Sequence, residues 1–278
     1  MRFSLLRLKS IHSKVALPSP EDALRFGDQR RNDEYEDRII RSVPEHYSGY
    51  TLITSANSGN VSNSSTATTA AVDATGANLI VLGVATDSGG APTITDSSSN
   101  SWGSPVAGTD NGLNSLCHIY LCYSPTVTSS WTCTVTHTGY FPVIACLVFS
   151  GSTASPFDQS DQNTTAGAAT LTTGSITPGF TNELLVAAIG FFGVNFSDTT
   201  CNSVDSSFTL QQTVTGHPGL RRGLGLAYQL QTAITARNPQ FTLSQSTDAV
   251  AAIASFKAAS VSPVPNIVSQ AIKAGCYY

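Results

Sequence analysis

Between Arg41 and Arg221 the sequence contains no lysine or arginine. Positive charge is crowded into the start of the chain. Residues 1 to 50 hold nine Lys/Arg and eight Asp/Glu, whereas residues 51 to 278 hold only five and ten. A body so poor in cations cannot neutralise a run of phosphates, which argues against nucleic-acid binding. Charged residues make up 12% of the chain, against a usual value of about 25%. Ser, Thr, Gly, Ala and Asn take their place. Such a surface suits an extracellular or virion protein better than a cytosolic enzyme. Glutamate is nearly missing too: Glu183 is the only one after Glu45.

No stretch of 18 apolar residues occurs, so no membrane-spanning helix is expected. The opening MRFSLLRLKSIHSKVALPSP is basic, but Arg7, Lys9, His12 and Lys14 interrupt its apolar residues. It lacks the continuous core of a secretory signal and reads as an arm that docks on a partner. None of the six cysteines forms a C-x-x-C pair, which disfavours a zinc ribbon or a thioredoxin-like motif. No metal or cofactor is expected. Cys117 and Cys146 lie in strongly apolar runs and read as core. Cys122 and Cys133 flank a hairpin and are candidates for a disulfide, as is Cys276 in AGCYY, which is placed to crosslink a neighbouring subunit. No G-x-S-x-G occurs, and a chance Ser/His/Asp trio means nothing in a chain so rich in serine. No catalytic residues are assigned.

What is present falls into two parts. Residues 1–48 form a charged arm with helical character. Ser19 is placed to cap a helix, Pro20 fits its first position, and Glu21 and Asp22 suit its N-terminal dipole. Leu5, Leu6, Ile11, Val15 and Leu24 would anchor the arm on a partner, with Arg30 and Arg31 adding charge. From Tyr50 the pattern changes to strands. NLIVLGVAT, LCHIYLCYS, WTCTVTH and PVIACLVFSG are β-rich runs separated by Gly, Ser, Asp, Asn and Pro. Many short strands with no helices between them imply an all-β sandwich, and the lack of βαβ alternation disfavours a Rossmann-like fold.

The chain also matches itself at a shift of 105 to 108 residues. GANLIVLGVA (76–85) falls on TNELLVAAIG (181–190), and HIYLCY (118–123) on LAYQLQ (226–231). TCTVT (132–136) falls on QFTLS (240–244), and Phe149 on Phe256. Collinear order implies a duplicated antiparallel β-sandwich of jelly-roll or immunoglobulin-like type. The first repeat spans 49–156, the second 157–260, and the tail 261–278, with the two halves closely packed.

Candidate chemistry is thin. His118, Tyr120 and Cys122 share a strand face, but no carboxylate lies near them in sequence, so they read as packing. The body's Asp residues sit mostly in turn contexts such as GTDNG. Trp131, Tyr140 and Phe141 are candidates for a glycan-binding platform at strand ends or in loops. Trp102 instead aligns with Phe208 and reads as a shared core position.

The run NELLVAAIG…FTLQQTVTG…LAYQLQTAITARNPQFTLSQSTDAVAAIASFKAA resembles a duplicated β-sandwich repeat found in bacterial surface proteins and phage structural proteins. ANLIV (77–81), TDSSSNSW (95–102), HIYLCY (118–123), VFSG (148–151) and SFKAA (255–259) carry the resemblance, which covers about residues 65 to 260. It implies no catalytic residues. The charged arm departs from secreted members, which begin with a signal peptide, and so favours a virion location over an extracellular one. The expectation is a non-enzymatic part of a bacteriophage virion: a capsid decoration, head-fibre or tail-associated component. Its partners would be other virion subunits and further copies of itself. The alternative is an extracellular carbohydrate-binding or adhesin module that contacts host-surface glycans.

Overall fold

The computed structural model describes residues 46–47, 49–61, 64–87, 89–112, 116–139, 141–193, 198–217 and 222–261. The helix expected in the arm, its anchors Leu5, Leu6, Ile11, Val15, Leu24, Arg30 and Arg31, and the tail from Ser262 lie outside these residues. His46–Val261 is one compact unit, and no helix occurs among its described residues.

The strands of the first half are β1 (His46–Tyr47), β2 (Thr51–Asn57), β3 (Thr66–Thr68), β4 (Leu79–Thr86), β5 (Thr93–Asp96), β6 (Ala107–Asp110), β7 (Leu116–Tyr123), β8 (Cys133–Thr136) and β9 (Val143–Ser150). Those of the second are β10 (Ser152–Thr172), β11 (Glu183–Phe192), β12 (Cys201–Val204), β13 (Thr209–Val214), β14 (Arg222–Gln231), β15 (Gln240–Ala258) and β16 (Ser260–Val261). Every pairing is antiparallel.

One five-stranded sheet runs β2-β9-β4-β7-β6, and a second path runs β10-β15-β11-β14-β13. The order of strands is the same. The two sheets stack face to face with that order reversed: β2 lies against β13, β4 against β11 and β14, and β6 against β15 and β10. Outside the first sheet lies a three-stranded sheet, β3-β8-β5. Its counterpart in the second half is built from the far ends of β10 and β15 with β12, through pairs such as Leu171↔Phe241 and Val204↔Phe241. The result is a β-sandwich-like stack in layers.

This stacking explains the apolar runs. In β4 every residue is buried, and in β11 every residue but the last. Side chains alternate between faces along a strand. Leu79 and Val81 join Leu184, Val186 and Ala188 in the central core between the two large sheets. Ile80, Leu82 and Val84 point the other way and pack with Trp131, Cys133 and Val135. Leu185, Ala187 and Ile189 do the same against Phe241 and Leu243. A strand buried on both faces needs no polar alternate, unlike the half-solvated strand usual in antiparallel sheets.

Close approach sets the composition of the central layer. A Cβ on Gly190 would lie 2.8 Å from Ala85 Cβ and 3.0 Å from Leu116 O. One on Gly83 would meet only the movable side chain of Leu226, at 2.9 Å. At one rim Asn57 Nδ2 donates to Gln212 Oε1 (2.7 Å) and Gln212 Nε2 to Ser55 Oγ (2.7 Å). At the other rim Gly108 N donates to Gln162 Oε1 (3.3 Å).

Register corrects one detail of the self-match. Leu79 pairs with Phe149 and Tyr123, and Leu184 with Phe256 and Leu230. Tyr120 therefore occupies the place of Ala227, not of Tyr228. The polar segment after Ser150 is a 21-residue strand, β10.

Candidate functional site

A shallow cleft of about 380 Å³ opens in the first half, between β5 and the connection to β6. Pro92, Thr93, Trp102, Ser104, Pro105 and Tyr120 line it. Tyr120 lies on the outer face of β7, and its hydroxyl donates to Pro92 O (3.2 Å). Burial pushes the phenol up to about 12, so it stays a neutral donor.

Trp102 is held by its own turn. Its Nε1 donates to Asp96 Oδ2 at 2.6 Å. Asp96 Oδ1 in turn accepts from the backbone of Ser98 (2.7 Å) and from the side chain of Asn100 (3.2 Å). Asn100 ties the turn to the next connection, donating to Thr126 O (2.8 Å) and accepting from Thr126 N (2.7 Å). Ser99 takes the left-handed conformation the turn needs, with φ of 58°. With the indole N–H satisfied internally, what Trp102 offers the cleft is ring surface. Thr93 and Ser104 are exposed and add hydroxyl groups. No charged side chain lines the cleft.

Other groupings involve ionisable residues. Arg222 on β14 is buried and reaches Asp87, just beyond β4, at 2.5 Å, joining the two large sheets. Its guanidinium lies over the Phe192 ring, 4.8 Å from the centroid. Burial lowers its pKa, opposed by the charges of Asp87 and Asp248.

Glu183, at the start of β11, is fully buried. Burial, aided by the charge of nearby Asp158, pushes it from 4.5 to about 7, while hydrogen bonds from Ser255 and from Phe180 N (3.0 Å) hold it down. This is where two carboxyls meet, but Glu183 has no open face for a substrate.

Five cysteines, Cys117, Cys122, Cys133, Cys146 and Cys201, are buried free thiols. Burial raises every one, Cys122 to about 11 and Cys146 to about 12. They are inert core groups rather than nucleophiles. Among the described residues no group of three His, Cys, Asp or Glu is placed to hold a metal ion.

The expected glycan platform does not form as read. Trp131 is fully buried in the first outer core, because its backbone bridges Val72 and carries the ring inward. Phe141 is 9% exposed. Tyr140 lies outside the described residues. The expected Cys122–Cys133 disulfide is not present: both are free thiols. Cys276 lies outside the described residues. Trp102 and Tyr120, set aside as packing residues, are the aromatics that line an opening. Their signal in the sequence was the Asp96…Trp102 spacing, which braces a turn around the indole.

No family model, no curated protein and no solved structure matches the chain.

Proposed function

We propose that the chain is a non-enzymatic structural component of a larger assembly. The reading is a bacteriophage virion protein whose N-terminal arm docks on the particle, in a capsid-decoration, head-fibre or tail-associated role. One observation carries it. His46 pairs with Val261 and Tyr47 with Ser260, so the first and last described strands of the β body lie side by side. Contrast in charge between the arm and the nearly cation-free body supports the same division of labour. We read the body as a duplication, a repeat of the kind seen in bacterial surface and phage structural proteins. Equal strand order and reversed face-to-face stacking support it, since a rotation of one copy onto the other produces both. Homo-oligomers in the particle fit this reading.

The test is removal of residues 1–45, which keeps β1. The full chain should run in light scattering and electron microscopy as a defined oligomer or particle-bound species. The truncated chain should keep the β-sheet signal in circular dichroism and the thermal transition of the body but lose that mass. Equal mass distributions for the two would defeat the docking role.

A further inference from the structure

We infer that the cleft beside Trp102 is a binding site for a neutral saccharide, one per chain. This goes beyond the structural role and stands independently of it. The argument begins with what the cleft lacks. No charged side chain lines it, so an anionic or cationic ligand would lose its hydration without gaining a counter-charge. Its volume of about 380 Å³ is at the small end of the range for ligand sites, roughly 300–1,000 Å³.

What lines it has three parts. Trp102 contributes indole ring surface, held rigid by Asp96 through the 2.6 Å bond. Tyr120 forms an aromatic floor whose hydroxyl is anchored on Pro92 O. Thr93 and Ser104 stand exposed at the rim. A pyranose ring has a C–H face that stacks on an aromatic ring and hydroxyls at its edge that pair with side-chain hydroxyls. An extended Pro-rich peptide would also meet aromatic rings. Such a peptide uses an aromatic-ring N–H beside its prolines as the donor to its carbonyls, and here the indole N–H is committed to Asp96.

The second half supplies an internal control. In the self-match Phe208 falls on Trp102, and it is only 7% exposed. Ala227 stands at the Tyr120 position and is fully buried. The turn there is braced differently, with Asp205 Oδ1 accepting from Gln240 N (2.7 Å). A duplicated body would ordinarily predict two sites; these replacements predict one.

The experiment is a glycan array of neutral and charged oligosaccharides probed with the full chain and with Ser104→Arg. Titration of the best neutral hit follows, read by Trp102 emission in a Trp131→Phe background. Ser104 is exposed, so its substitution blocks the cleft without touching the core. The expected result is saturable binding of at least one neutral glycan. It should have a stoichiometry of one per chain, a shift in Trp102 emission, and affinity reduced tenfold or more in Ser104→Arg. Trp102→Phe, which gives up both the indole surface and the bond to Asp96, should weaken binding. Three results would overturn the inference: no neutral glycan bound, binding confined to charged glycans, or binding untouched by Ser104→Arg. Capture of a polyproline peptide at the cleft with no glycan bound would overturn it as well.

Discussion

The two halves share a strand order and differ in where their strands break. In the second half β15 runs unbroken from Gln240 to Ala258, serving the outer layer with one end and the large sheet with the other. In the first half the same path is split into β8 and β9. Pro142 stands where Ala249 stands, and it has no N–H for the ladder. Phe141 before it takes φ of 65°, a conformation costly for a bulky residue. β10 likewise runs from the large sheet to the outer layer, whereas β2 and β3 are separate. The comparison teaches that one topology tolerates both continuous and broken strands. The outer layers then diverge: Trp131 bridges Val72 in the first half, while Arg237 bridges Ile176 in the second. The cleft belongs to the half with the broken strands.

The largest test of this contrast lies in the outer cores. Trp131→Ala and Phe241→Ala each remove a fully buried ring and should cost about 3–5 kcal/mol in denaturant titrations. Trp131→Phe should cost far less than Trp131→Ala. The buried Trp131 Nε1 has no acceptor among the described residues, and losing an unpaired donor offsets part of the lost packing. Equal losses for the two Trp131 variants would show that the indole N–H is paired after all.

The link between halves comes next. Asp87→Ala removes the carboxylate that pairs with the buried Arg222 and should cost roughly 2 kcal/mol. That is less than a fully buried pair, because the Asp87 side chain is 34% exposed. Smaller again is the glycine comparison. Gly190→Ala pushes a Cβ against Ala85 and the Leu116 carbonyl and should cost about 1–3 kcal/mol. Gly83→Ala meets only Leu226 and should cost less. A reversed order would mean that the central layers are not as closely held as described.

The mildest effect is in pH. Glu183 in the second half is raised from 4.5 to about 7. Its folded form holds a proton that the unfolded chain releases, so this contribution weakens as pH rises through that window. His118 in the first half is lowered from 6.5 to about 4 by burial, against the pull of Asp110. Its contribution is complete above 6.5 and is lost as pH falls towards 4. Between these values the two slopes oppose each other. Stability measured against pH should tilt upward with pH in Glu183→Gln and downward in His118→Gln. Parallel profiles for the wild type and both variants would contradict the assignment.

Much of the fold was legible in the sequence because apolar runs as long as 79–86 and 183–192 have few other uses. The likeness between the two halves was legible for the same reason, and it returns in the structure as a shared strand order. Exact register was not. When both faces of a strand are buried, a one-residue slip leaves the hydrophobic pattern nearly unchanged, so Tyr120 matched Tyr228 as readily as its true counterpart, Ala227. Most of β10 carries no strand signal, because its outward residues are Ser, Thr, Asn and Gln on a sheet edge, the composition of a linker. Trp131 was misplaced because it follows Ser129 and Ser130, which read as a loop. A single backbone bridge to Val72 then turns it inward.

Hydrogen exchange on the intact chain tests most directly the claim that the halves form one body. Amides in β4, β9, β11 and β15 should open together, with one common free energy and one dependence on denaturant. If β11 and β15 stayed protected under conditions where β4 and β9 exchanged freely, the halves would be separate folding units. The shared central layer would then not hold them together.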